Sequence, residues 1–163
     1  MRSMLQYCAA AGAQERRLEA GTVLLHEGES SGRLYVLIDG TVEVARGETV
    51  VAVVSEPGSV FGEMSELLAR PHSATVRAVS PVTVYELDDC ATILRSNPEI
   101  AYGVARLLAQ RLHAATTYLV DLKRQFQGHD DHFGMVGEVL ESLIHHHQDD
   151  FTPGSDRQPH PPE

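Results

Sequence analysis

The chain has 163 residues, enough for one domain with a real core and little more. It is 42% hydrophobic and 22% charged, the balance of an ordinary globular protein, and its apolar runs fall far short of a membrane span. A net charge of −10 argues against a nucleic-acid surface, which needs clustered lysine and arginine.

The opening MRSMLQYCAAAGAQERR has small residues but no long apolar core, so no signal peptide is expected. Residues 1–13 read as a short helix or arm. Cys8 and Cys90 share no metal or redox spacing and read as free thiols, which points to a reducing cytoplasm. From Gln14 the pattern turns to strands. Val23 and Leu25 oppose Leu24 and His26. Leu34, Val36 and Ile38 oppose Tyr35, Leu37 and Asp39. Period two with β-branched enrichment predicts strands, and glycines fall at the breaks. Asp39-Gly40 is a hairpin signal. Thr41 to Ala45 and Thr49 to Ser55 supply two more strands. Thr75 to Val79 and Val82 to Asp88 close a β region that spans 14–97. Many short strands with frequent turns predict a sandwich or roll.

Phe61 to Val76, FGEMSELLARPHSATV, interrupts the strands. Phe61-Gly62-Glu63 opens a short helix. Gly62 lets the backbone approach a ligand closely. The amides of Gly62, Glu63, Met64 and Ser65 would then form an anion site at a helix N-terminus. Pro71 stops the helix.

This stretch resembles the cyclic nucleotide-binding domain family of catabolite-activator-type regulators, kinase regulatory subunits and gated channels. The EAGTVLLHEGESSGRLYVLIDGTVEV segment resembles the first half of the same family's β-roll, so the likeness covers about residues 17–125. It implies a mainly β fold with α: a jelly-roll-like β-roll, a cassette helix and a long C-terminal helix. It also implies site residues. Glu63 takes the place of the ribose ligand, and Ser73, beside Ala74, that of the phosphate hydroxyl donor. Where the family has a phosphate-binding arginine, this chain has His72.

That departure governs the ligand, cyclic AMP or cyclic GMP in the family. Arginine offers a permanently charged two-pronged fork, whereas histidine is single-pronged and mostly neutral at pH 7. Losing one partner of a buried charge pair costs roughly 2–5 kcal/mol, ~30- to several-thousand-fold in affinity. Three outcomes stay open. His72 is protonated by the phosphate, or Arg70 reaches the pocket from across Pro71, or the fold serves as a ligand-independent interaction scaffold or takes another anion such as a cyclic dinucleotide. Arg77 lies four residues beyond Ser73, too far to help readily.

From Pro98 the period lengthens. Ile100, Val104, Leu108, Leu112, Ala115, Leu119, Leu122 and Phe126 step by fours and threes, which predicts a long helix over 98–127. Its 4-3 seam predicts a homodimer through Leu108, Leu112, Ala115, Leu119 and Leu122. The resemblance puts Thr116 where a hydroxyl caps the purine; a small residue flanking the seam explains it equally. Gly128 to Asp131 breaks the helix. A short amphipathic helix is expected over 133–147, and a disordered tail over 148–163. After Gln127, 36 residues hold eight acids against one base, Arg157. The helix-turn-helix domain of the family's transcription factors is therefore not expected, nor is any contact with nucleic acid.

Nine histidines raise the question of a metal. His145, His146 and His147 point about 100° apart on a helix and chelate poorly, and His129 and His132 flank an acidic loop. Solvated histidines explain them better, so no metal is expected. No cupin-type H-x-H pair lies in the strand region, neither a G-x-S-x-G elbow nor a Walker loop occurs, and no enzyme is expected. The sequence thus points to a regulatory, non-catalytic sensing module that acts through its C-terminal helices on a dimer or an unknown protein partner, away from any membrane.

Overall fold

The structure, a computed structural model, describes residues 3–125, 136–139 and 141. The first helix, α1 (Met4–Ala10), starts at a reciprocal cap: Ser3 Oγ accepts from the Gln6 amide, and the Ser3 amide donates to Gln6 Oε1 at 2.8 Å. Strands follow: β1 (Gln14–Leu18), β2 (Val23–Leu25), β3 (Leu34–Asp39), β4 (Val42–Arg46), β5 (Thr49–Val54) and β6 (Val60–Phe61). The cassette supplies α2 (Glu63–Leu67). Then come β7 (Thr75–Ala78), β8 (Val82–Leu87), α3 (Cys90–Ser96) and α4 (Pro98–Gln125).

The strands form two four-stranded antiparallel sheets, ordered β1-β8-β3-β6 and β2-β7-β4-β5. This is the expected β-roll. Its core joins both sheets: Leu37, Val42 and Val84 are fully enclosed, with Leu25, Phe61 and Val76 around them. Gly40 sits at φ +96, and a Cβ there would strike the Pro81 carbonyl and Val82, so the β3–β4 turn requires glycine.

Alternation alone predicts one wet face for β3. Instead Leu34, Tyr35, Val36 and Leu37 are all buried. β3 is central in its sheet: one face meets the core and α1 packs against the strand. The helix α3 was not legible in advance, because seven residues are too few for a period to declare itself. It is capped by Asp89, whose side chain accepts from the Thr92 amide at 3.2 Å, and its first amide, Cys90 N–H, donates to the Gly32 carbonyl at 2.8 Å.

Asn97 caps the first turn of α4, its Oδ1 accepting from the Ile100 amide at 3.1 Å. Ile100 and Val104 are buried. The chain divides into two compact units between Leu107 and Leu108, within α4. In the second unit Leu108, Thr116, Leu119 and Leu122 are half-buried, whereas Leu112 and Ala115 are exposed. Of the helix expected over 133–147, residues 136–139 and 141 are helical. Phe126, His129, His132, His145 to His147 and the tail lie outside the described residues.

Candidate functional site

The site is built on one strand end. β6 pairs with β3, Tyr35 opposite Phe61, which brings the next residue against the start of β3. Gly62 takes φ +100 there, and a Cβ would collide with the Arg33 carbonyl oxygen and touch Leu25 Cδ1 at 3.4 Å. Only glycine makes that turn without strain. It opens α2 with no side-chain cap, so the first-turn amides of Glu63, Met64 and Ser65 have no acceptor within the helix.

Glu63 is 2% exposed, the most deeply buried charged side chain among the described residues. The helix N-terminus favours its carboxylate. Met64 is 46% exposed. Past α2 the chain tightens: Ser65 Oγ donates to the Arg70 carbonyl at 2.5 Å, and the Arg70 amide donates to the Ser65 carbonyl at 3.0 Å. Ala69, between them, is held at φ 51, in the left-handed region. Arg70 itself is exposed.

His72 is buried and occupied. Its carbonyl accepts from the Gly28 amide at 2.9 Å, and its amide donates to the Glu29 carbonyl at 2.8 Å. Its ring Nε2 lies 2.8 Å from Ser31 Oγ and accepts from the Ser31 amide at 3.3 Å. Ser31 Oγ in turn accepts from the Arg33 amide. An Nε2 that accepts puts the ring proton on Nδ1 in the neutral tautomer. Burial pushes the imidazole pKa down, and Glu29 nearby only partly opposes this. His72 thus ties the end of the cassette to the β2–β3 loop. Ser73 is exposed, Ala74 is half-buried, and Thr75 Oγ accepts from the Glu27 amide at 3.1 Å. Arg77 pairs with Glu43 at 3.6 Å.

Of the expected site residues, Phe61 to Ser65, Arg70 and His72 to Ala74 thus lie on one short segment, held at Phe61 by β3 and at His72 by the β2–β3 loop. Thr116 lies in the second unit. Sequence reasoning missed Ser31, whose only signal was its place in the SSG turn. It also missed Glu86, which is buried and pairs with Arg16 and Arg33; Arg33 pairs on with Asp88 at 3.5 Å. Burial pushes both cysteine thiols up to about 11, with the carboxylates of Glu66, Glu63 and Asp89 contributing to the rise at Cys90. They are poor nucleophiles at neutral pH. Among the described residues no three metal-ligating side chains converge, and no helix is long and apolar enough to cross a membrane.

The family pattern described as the cyclic nucleotide-binding domain matches residues 15–91, which hold the whole cassette. The N-terminal domain of a transcriptional regulator from Streptomyces coelicolor shares 33% identity over 67% of this chain and 84% of its own, with a TM-score of 0.50. The chain belongs to the cyclic nucleotide-binding domain family. The Thermus thermophilus catabolite activator protein matches 71% of the chain and 57% of its own at 30% identity, TM-score 0.58. A cyclic nucleotide-gated potassium channel of Mesorhizobium japonicum is 35% identical over 104 residues, 63% of this chain and 28% of the channel. A cAMP-activated global transcriptional regulator of Mycobacterium tuberculosis is 30% identical over 108 residues, 63% of this chain and 48% of the regulator. The chain spans less than half the length of either.

Proposed function

We propose that the chain is a regulatory, non-catalytic module that senses a cyclic nucleotide, cyclic AMP or cyclic GMP, in the cassette. The observation that carries this is Glu63: a carboxylate held out of water at the mouth of a glycine-opened helix, in a chain of the cyclic nucleotide-binding family. Glu63 is assigned to the ribose hydroxyl. The phosphate is assigned to the first-turn amides of α2 and to Ser73, which are neutral donors. His72 is assigned a bracing role, because its ring nitrogen is already engaged by Ser31. Without a charged fork on the phosphate, affinity falls roughly 30- to several-thousand-fold below that of an arginine site, toward the millimolar range. Thr116 and the 108–122 seam are assigned to the output, a dimer or a protein partner.

The occupied His72 also favours a second reading, a scaffold that binds no nucleotide and works through protein contacts alone. Thermal melting with millimolar cyclic AMP and cyclic GMP separates the two, since a ligand of the folded state raises the melting point by mass action. The sensor reading expects a rise in the native chain and a larger one in His72→Arg. A rise in His72→Arg alone would give the scaffold reading the lead.

A further inference from the structure

The state of the His72 ring is decided by Ser31, in the β2–β3 loop. Ser31 meets Nε2 twice, with Oγ at 2.8 Å and with its amide at 3.3 Å. Ser31 Oγ accepts from the Arg33 amide at 3.3 Å, which leaves its own proton to donate to the ring. Both contacts therefore offer a proton to Nε2. They suit the neutral imidazole, whose Nε2 carries a lone pair. They oppose the imidazolium, which would set an N–H against the Ser31 amide.

The segment that carries Ser31 is itself held. The Gly32 carbonyl accepts from the Cys90 amide, the first of α3, at 2.8 Å. The Arg33 guanidinium reaches Asp88 at 3.5 Å and the buried Glu86 at 3.7 Å. The backbone bonds from His72 to Gly28 and Glu29 hold the ring's own side of the contact. The surrounding charges do not reverse the preference. Glu29 of the loop favours the cation, but burial outweighs it. Glu27 is turned to the Gly47 amide, and Arg33 to Glu86 and Asp88. On the cassette itself Arg70 is exposed, and Glu63, at the other end, acts on Cys90.

We propose that Ser31 sets the affinity of the cassette by keeping the His72 ring inward and uncharged, so that the phosphate of a cyclic nucleotide is left to neutral donors. This rests on the sensor reading above. His72 directly precedes Ser73, which is exposed and assigned to the phosphate. Released from Ser31, the imidazole can take up a proton and bring a positive charge to that anion. A hydrogen bond from an ionised donor is roughly twice as strong as a neutral one. Binding would then be coupled to proton uptake, and affinity would climb as pH falls. Ser31 is exposed, so shortening its side chain opens no cavity in the core.

The test is a calorimetric titration of cyclic AMP into the full chain at pH 6.0 and pH 7.5, beside an NMR titration of the His72 imidazole. Ser31→Ala should bind roughly tenfold more tightly than the native chain at pH 6.0, with a smaller gain at pH 7.5. Adding His72→Gln to Ser31→Ala should cancel the gain. The imidazole pKa should move up in Ser31→Ala, because a donor to the neutral ring has gone; this arm needs no ligand. A Ser31→Ala chain that binds no more tightly, beside a His72→Arg chain that binds well, would overturn the proposal and leave the sensor reading standing. So would a gain that persists with His72→Gln, or an imidazole pKa that Ser31→Ala leaves in place. Absence of binding in every variant, His72→Arg included, would overturn both.

Discussion

At the scale of single residues, three positions carry the account. Gly62 is a backbone requirement: the φ of +100 and the Arg33 carbonyl leave no room for a Cβ. Gly62→Ala should destabilise the fold by roughly 1–3 kcal/mol, read from chemical denaturation, because strain and close approach act together. Glu63 and His72 were both visible in the sequence as part of a cassette, but their circumstances were not. The FGE run showed that Glu63 opens a helix. It did not show whether the carboxylate faces water, since burial depends on elements far away in the chain. His72 was legible as a missing arginine. Its hydrogen-bond partner, Ser31, stands forty-one residues earlier and could not be inferred from any spacing.

His72 also fixes a pH response. Its pKa in the folded chain lies below the ordinary 6.5, because burial disfavours the imidazolium more than Glu29 favours it. As pH falls through about 6.5 the unfolded chain takes up the proton first, and stability declines until the folded-state pKa is reached; above 6.5 the contribution is complete. His72→Gln keeps a neutral acceptor for Ser31 and removes the titration. Urea denaturation at pH 7.5 and pH 5.5 should therefore show a smaller acid loss of stability in His72→Gln than in the native chain. An equal loss in both would show that His72 does not titrate as described.

At the scale of elements, the strands were legible because a half-buried strand writes its period into the sequence. The helix start at Pro98 was legible as a local chemical signal. Asp39-Gly40 was legible as a turn, but the expected hairpin does not form, because β3 and β4 pair with other strands in different sheets. β3 was legible as a strand but not as a strand buried on both sides, which is a consequence of its neighbours. The enclosed Leu37 measures that. Leu37→Ala should cost roughly 2–5 kcal/mol, the range for a leucine removed from a packed core, with the denaturation slope unchanged. The short α3 left no period to find. At its far end Asn97 serves the start of α4. Asn97→Ala should lower stability by about 1 kcal/mol in the same assay, the usual effect of losing a cap.

At the scale of the whole molecule, the family and the β-roll emerge from motifs spread along the chain in order, and the likeness to other members extends over about two thirds of its length. The ligand chemistry rests on fewer residues. A cassette that keeps its glycine and its buried glutamate but turns its histidine inward should still select a ribose and hold a phosphate loosely. The most direct measurement of that claim is a calorimetric titration of cyclic AMP and cyclic GMP into the native chain and into Glu63→Ala at pH 7.5. Weak, saturable heat in the native chain that vanishes in Glu63→Ala is the predicted result. No heat in either, or heat that Glu63→Ala leaves unchanged, would contradict the account.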